Sequence, residues 1–307
     1  MPTPGWPTDV HVLERGWLSS NNILLFDEPR NTAVLVDTGY LSHAEQTLAL
    51  VDQALGHRRL VSIVNTHLHS DHCGGNAAFQ ERYGVPIQVP AAEFDAAKAW
   101  DETRLSFKAT GQRCARFTPS RALSPGDTIE IGQRRWYVLG APGHDPHALM
   151  LFDAQEGLLI AADALWENGF GVVFPELTGE PGFEEVRATL KLIRSLGARQ
   201  VIPGHGPVFS DVDAALDRAE ARLDSFEHDP LRHAWYAAKV LVKFHMLEVR
   251  RLSQADLLQW LDRTPYFGLV YQRHFVQQPW PAWKADVLET LLKSGALRRD
   301  GDLILDA

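Results

Sequence analysis

The stretch Thr66-His67-Leu68-His69-Ser70-Asp71-His72-Cys73-Gly74-Gly75-Asn76 decides how the rest of this chain is read. It places three histidines and an aspartate close together, directly after the apolar run Leu60-Val61-Ser62-Ile63-Val64. His67 and His69 are two apart, so on an extended segment their side chains leave the same face. Asp71 and His72 follow once the chain has turned, and they reach the same space from another side. Imidazole together with carboxylate suits zinc, iron or manganese. Four such ligands at one strand end predict two metal ions rather than one. The competing reading, a polar turn rich in histidine by chance, is disfavoured because clustered unpaired histidines beside a buried strand are costly to keep.

Three further strand ends supply what this cluster lacks. Tyr137-Val138-Leu139-Gly140-Ala141-Pro142-Gly143-His144 reads as a strand, a Gly-Pro turn and a histidine on its lip. Leu158-Leu159-Ile160-Ala161-Ala162-Asp163 reads as a buried strand ending in a carboxylate. Gln200-Val201-Ile202-Pro203-Gly204-His205-Gly206-Pro207 repeats the pattern, an apolar strand and then Gly-His-Gly. Loops at one edge of a sheet are where open α/β architectures place their sites.

The order His-x-His-x-Asp-His, Pro-Gly-His, strand-Asp and Gly-His-Gly resembles the metallo-β-lactamase fold superfamily, and the wording around His67 is most similar to its glyoxalase II-like hydrolases. The likeness runs over roughly residues 10–210. It implies that His67, His69 and His144 bind a first metal, that Asp71, His72 and His205 bind a second, and that Asp163 bridges them. Two divalent ions are then the implied cofactors, zinc first, with iron and manganese as alternatives. Such a pair shares a water, lowers its pKa toward neutrality and stabilises the oxyanion formed on attack. Asp71 is the candidate to orient that nucleophile and shuttle its proton.

Composition bounds the function. The 307 residues carry 45% hydrophobic side chains, enough for one large domain and a small one. A net charge of −9 argues against a chain dominated by nucleic-acid binding. Two cysteines, Cys73 and Cys114, make no disulfide framework, so a reducing cytosol is expected. Cys73 is read as a packing residue behind the ligands rather than a ligand or nucleophile. Met1-Pro2-Thr3-Pro4-Gly5-Trp6-Pro7 has neither a basic nor an apolar leader region, so no secretory signal is expected, and no apolar run is long enough for a membrane span.

Periodicity gives the organisation. Val10–Leu13, Asn22–Phe26 and Thr32–Val36 read as strands, 42–55 as a helix, Leu60–Asn65 as a buried strand, and 75–83 and 91–100 as helices around a short strand at 86–89. Residues 101–125 read as irregular and polar. Four strands between 128 and 162 read as a second sheet, followed by helices at 183–196 and 212–226 around the strand Val201-Ile202. Two such halves fit a four-layer αββα sandwich, the fold of the superfamily named above. That catalytic domain is set at residues 1–230.

From 231 to 307 the chain reads as a separate C-terminal domain of three helices (231–250, 253–261 and 283–292) and a hairpin around Asp300-Gly301. This order resembles a winged-helix module that some members of the superfamily carry. The tail holds 11 Lys+Arg against 8 Asp+Glu, whereas the first 230 residues hold 19 against 31. The basic residues are dispersed, so a docking or homodimerisation module that walls the site is preferred to a nucleic-acid contact.

The loop after Asp163, Ala164 through Phe174, is aromatic and Gly-punctuated, and suits a hydrophobic or acyl substrate. Trp166, Phe170 and Phe174 are its candidate contacts, with Tyr40 after Asp37-Thr38-Gly39 and His147 beyond His144 as further ones. The remaining histidines read as surface or packing residues, His245 alone as a pocket candidate. The expected function is metal-dependent hydrolysis of an ester, thioester or lactone, a small molecule. The tail departs from the glyoxalase II subgroup, so the glutathione thioester itself is not the expected substrate. Two alternatives stand beside it. One is a phosphodiesterase or nuclease using the same metals. The other is a mononuclear iron, sulfur dioxygenase-like protein or a metal-retaining sensor.

Overall fold

The computed structural model describes residues 6–131 and 133–307. Met1 to Gly5, on which most of the leader reading rests, lie outside the described residues. Six strands form the first sheet in sequence order: β1 (Val10–Leu13), β2 (Asn22–Asp27), β3 (Thr32–Val36), β4 (Arg59–Val64), β5 (Ile87–Pro90) and β6 (Arg121–Leu123). β1 to β3 pair antiparallel, and β3 to β6 run parallel. The second sheet has five strands, β7 (Thr128–Ile131), β8 (Arg134–Gly140), β9 (Leu149–Asp153), β10 (Leu158–Ala162) and β11 (Gln200–Pro203). It is antiparallel from β7 to β10, and β11 is added parallel to β10.

Strand alternation sorts the core into layers. Ile23, Leu25, Val34 and Val36 of the first sheet meet Leu149, Leu151, Leu158 and Ile160 of the second in one buried cluster. The opposite faces turn outward. Leu24, Phe26 and Leu35 pack with Val51 and Leu55 of the helix Ala44–Leu55 and Phe79 of Asn76–Tyr83. Met150, Phe152 and Leu159 pack under Gly182–Leu196 and Val212–His228. Helix, sheet, sheet and helix are therefore the four layers of the metallo-β-lactamase sandwich.

Residues 101–125 are not the polar loop that their composition implied. Leu105, Phe107 and Phe117 are buried against the first sheet's helical face, a short helix spans Phe107–Thr110, and β6 completes the sheet edge. The tail also differs. After the break at Asp229 come Pro230–Val249, Gln254–Arg263, Pro265–His274 and Trp280–Lys293, four helices rather than three. A strand, β12 (Arg251–Ser253), joins the hairpin of β13 (Leu297–Asp300) and β14 (Leu303–Asp306) in the order β12-β14-β13. The core of this tail, centred on Trp283, Phe267 and Met246, also takes in Val172 and Leu177 of the catalytic body. No helix among the described residues is long and apolar enough to cross a membrane.

Candidate metal centre

Seven side chains converge where β4, β8, β10 and β11 end. His67, His69 and His144 bring one nitrogen each into a first group, and Asp71, His72, Asp163 and His205 bring one ligand atom each into a second, all within 4.8 Å of one another in each group. In the first, His67 Nε2 stands 3.1 Å from His69 Nδ1, which stands 2.8 Å from His144 Nε2. Nitrogens about 2.0–2.1 Å from a tetrahedral ion lie about 3.3 Å apart, so this spacing suits shared coordination. In the second, His205 Nε2 lies 3.1 Å from Asp71 Oδ2, and His72 Nε2 lies 3.5 Å from Asp163 Oδ1. Asp163 faces both groups, its Oδ2 being 3.3 Å from His144 Nε2.

Partners behind the ligands fix which nitrogen is left bare. Thr66 Oγ1 donates to Asp37 Oδ2 at 2.8 Å, so the His67 Nδ1 3.1 Å away must be a donor to that hydroxyl, leaving Nε2 as the lone pair. His72 Nδ1 lies 2.8 Å from the same Asp37 Oδ2, and His72 Nε2 is buried with no hydrogen-bond partner. His144 Nδ1 donates to the Val172 carbonyl at 2.6 Å. A buried, orphaned imidazole nitrogen beside two carboxylates is what a divalent cation would satisfy, so the residues present fit the group.

The protonation pattern agrees. Burial and the neighbouring imidazoles hold His67 well below its ordinary value. Burial brings His69 and His144 down to about 4. These three rings are neutral at pH 7, the form that can bind a metal. Burial works against ionised Asp163 and Asp71, but the surrounding histidines outweigh it and keep both carboxylates low. Burial also opposes charge on His72, and Asp163, Asp37 and Asp71 together raise it well above the usual histidine range. The second group therefore holds a proton that a cation would displace.

Local backbone explains how short side chains are aimed. β10 carries a register shift before Ala162, whose φ is +47°, and the kink turns Asp163 into the site. Two glycines are there for clearance. A side-chain carbon at Gly204 would strike Asp163 Oδ1, and one at Gly171 would strike the His144 ring.

The other candidate residues divide. Trp166, Phe174 and His147 line the cavity of about 480 Å³ over the ligands. Trp166 does more than touch it, since its Nε1 donates to Asp163 Oδ1 at 3.2 Å. Phe170 and Tyr40 do not belong there. Phe170 is fully buried against Phe226 and beneath the Arg222 guanidinium. Tyr40 is buried, and its hydroxyl donates to Glu248 Oε2 at 2.9 Å, tying the β3 loop to the tail. His245 stacks flat on Trp260 at 3.9 Å, away from the ligands. Cys73 is buried, with Sγ 3.5 Å from the Leu68 carbonyl and outside both ligand groups.

Several contributors were missed. Asp37 positions Thr66 and His72, and its only signal was a carboxylate at the end of a buried strand. Trp17, 57% exposed, stacks on His205 at 5.3 Å and lines the cavity. Tyr236, Leu241 and Phe244 of the tail and Tyr266 beyond them form the facing wall.

Residues 15–205 match the Metallo-beta-lactamase superfamily, and the chain belongs to it. A hydroxyacylglutathione hydrolase of Nostoc punctiforme is 34% identical over 54% of this chain and 58% of its own length. The acyl-coenzyme A thioesterase MBLAC2 of Gallus gallus is 28% identical over 50% of this chain and 59% of its own. The chain thus spans less than two thirds of these relatives. Among solved structures, a metallo-beta-lactamase family protein of Thermus thermophilus superposes with a TM-score of 0.57 at 22% identity, covering 97% of this chain and 99% of that one, so the likeness in fold extends through the tail. TTHA1623 in a di-iron-bound form gives a TM-score of 0.53 at 27% identity, covering 70% of this chain and 98% of that one.

Proposed function

We propose that this chain is a binuclear metal-dependent hydrolase and that, within the class of esters, thioesters and lactones, its substrate is a thioester. The observation that carries the reading is the convergence of five imidazole nitrogens and two carboxylates on two adjacent points, with Asp163 facing both. The named activities of the hydroxyacylglutathione hydrolase and acyl-coenzyme A thioesterase relatives favour a thioester. Zinc is the expected ion for this nitrogen-rich donor set, and iron is the alternative.

Two divalent cations held there would supply Lewis acidity, making hydroxide available near pH 7 and polarising the carbonyl. The chain's own side chains do the rest. Asp71 orients the attacking water, takes its proton and returns it to the departing sulfur. A C–O bond forms as the C–S bond breaks, giving a carboxylic acid and a thiol. Trp166 holds Asp163 in place, and Phe174 and the tail close the cavity around the acyl group.

Metal analysis combined with a panel of thioester, lactone and phosphodiester substrates tests this. Two equivalents of zinc or iron and turnover of thioesters are expected. No bound transition metal, full activity in His67→Ala, or turnover of phosphodiesters alone overturns it. One equivalent of iron without hydrolysis gives the oxygenase-like alternative instead.

A further inference from the structure

Both cysteines of the chain meet behind the candidate metal centre. Cys73 ends the short helix Ser70–Cys73, one residue after His72. Cys114 lies 41 residues further on, between the helix Phe107–Thr110 and β6. Their Sγ atoms stand 3.8 Å apart, and Cys114 Sγ is also 3.8 Å from the Cys73 carbonyl. Neither sulfur belongs to a candidate ligand group. Two thiols facing each other at this distance need to approach by less than about 2 Å to reach a disulfide bond length of about 2.05 Å. They are unequally reachable. Cys73 is fully buried and Cys114 half-buried. An oxidant in solvent therefore meets Cys114 first, with a second thiol already beside it to resolve the product.

The two sides also differ in freedom to move. After Cys73 the chain is wedged. A side-chain carbon on Gly74 would strike the Ser70 carbonyl and the Leu41 amide, and one on Gly75 would strike the Thr38 carbonyl. The Thr38 amide donates to the His72 carbonyl at 2.8 Å and pins the turn from that side. The stretch 112–114 is held by longer side chains that can follow a shift. Ser70 Oγ donates to Gln112 Oε1 at 2.5 Å, and Arg113 Nε donates to Glu248 Oε1 at 2.7 Å. Gln112 lines the cavity over the candidate ligands, and Glu248 belongs to the tail helix Pro230–Val249. Movement of this stretch toward the turn carries the cavity wall with it.

We propose that Cys73 and Cys114 are an oxidative modification site, which a peroxide converts to a reversible intrachain disulfide, and that closure draws the stretch 112–114 rather than the turn bearing Asp71 and His72, so that the cavity narrows while the metal centre is kept. The Cys114 sulfur takes one peroxide oxygen as the O–O bond breaks, giving a sulfenic acid and one water. The Cys73 sulfur then attacks the Cys114 sulfur. The S–S bond forms, the S–O bond breaks, and the departing hydroxide leaves with the Cys73 proton as a second water. The two thiols lose two electrons and two protons, the peroxide gains both, and excess thiol reductant reverses the bond. In a reducing compartment such a bond is transient, the behaviour of a sensor rather than a staple.

The test treats the metal-loaded full chain with a small excess of hydrogen peroxide. The thiols counted after denaturation are expected to fall from two to none. The intact mass is expected to fall by about 2 Da, and dithiothreitol restores both. Cys114→Ser keeps its remaining thiol under the same treatment. Bound metal stays constant, while KM for a thioester rises about threefold in the wild-type chain and not in Cys114→Ser. Two surviving thiols, or a gain of oxygen without a disulfide, overturn the modification site. Metal released on oxidation, or a KM that does not rise, overturns the assignment of the movement to the wall. Only the KM measurement rests on the hydrolase reading above. If no thioester is turned over, that reading fails separately, and thiol count, mass and metal content decide the site and the side that moves.

Discussion

In the candidate metal cradle, seven side chains descend from four strand ends, and several are fixed by a polar partner behind them: His67 by Thr66, His72 by Asp37, His144 by the Val172 carbonyl, Asp163 by Trp166. In the facing wall, Tyr236, Leu241, Phe244 and Tyr266 come from a tail 70 or more residues further along the chain than Asp163 and are held mostly by apolar packing. Polar links also join body and tail, among them Tyr40 and Arg113 to Glu248, the Val173 amide to His233 Nε2 at 3.2 Å, and Tyr266 to the Phe174 carbonyl at 2.9 Å. The difference assigns separate duties. On the proposed reading the cradle sets whether chemistry happens, because directional bonds fix its side chains. On the same reading the wall would set what is admitted, because apolar surfaces accept shape rather than a single orientation.

The largest effect therefore belongs to the cradle. His67→Ala removes one of three imidazoles in the first group, and hydrolysis is expected to fall about a thousandfold or more with loss of bound metal. Elemental analysis beside turnover assays checks it, and a variant that keeps both would erase the distinction between the two regions. One step behind the ligands the effect shrinks. Asp37 touches no substrate, but its carboxylate holds His72 and the Thr66 amide at 2.8 and 2.9 Å. Asp37→Asn is expected to weaken metal affinity about 10–100-fold, with activity recovered at high metal concentration. Chelator competition measures this, and unrecovered activity at saturating metal would make Asp37 a catalytic group instead.

That contrast also governs what was legible in the sequence. The seven residues that the fold gathers into two groups were readable because each sits on a short motif at a strand end, where residue type and turn chemistry are both local. The partners behind them were not, since Asp37 reaches His72 across 35 positions and only the fold makes them neighbours. Of the aromatic loop, Trp166 and Phe174 reach the cavity while Phe170 turns into the Phe226 layer, a choice that spacing alone does not make. The helix Pro265–His274 escaped notice because Pro-Tyr-Phe-Gly-Leu-Val-Tyr carries apolar residues on nearly every face and a glycine in its middle, which hides a 3.6-residue period. β12 was too short to register, and it is a strand only because β14 pairs with it.

On the wall, effects should be read in KM. The Phe174 ring faces His69 at 5.3 Å and Tyr266 at 5.5 Å, closing the cavity over the candidate metal groups from the body side. Phe174→Ala removes apolar contact without removing a ligand, so KM for a medium-chain thioester is expected to rise about five- to tenfold. The corresponding kcat is expected to stay within about threefold. A fall in kcat with unchanged KM would place Phe174 with the cradle by way of its contact to His144.

The smallest effect concerns the seam itself. His233 sits on the tail helix, is buried, and accepts the Val173 amide from the loop that also holds His144. Burial, then Arg222 and His274, hold its pKa down to about 3. An unfolded histidine takes up a proton near its ordinary value of about 6.5. Between these two values the unfolded state binds more protons. The stability that the neutral ring contributes is thus complete above about pH 6.5 and is lost as pH falls toward 3, at up to about 1.4 kcal/mol per pH unit from this group. His233→Gln retains an acceptor for Val173 and cannot titrate. Denaturant unfolding of both proteins at pH 7.5 and pH 5 should show a smaller acid loss in the variant, the histidines they share cancelling in the difference. Equal losses would mean that the seam opens before His233 is protonated. The tail would then separate from the body as its own unit in acid, and the wall would be lost before the cradle.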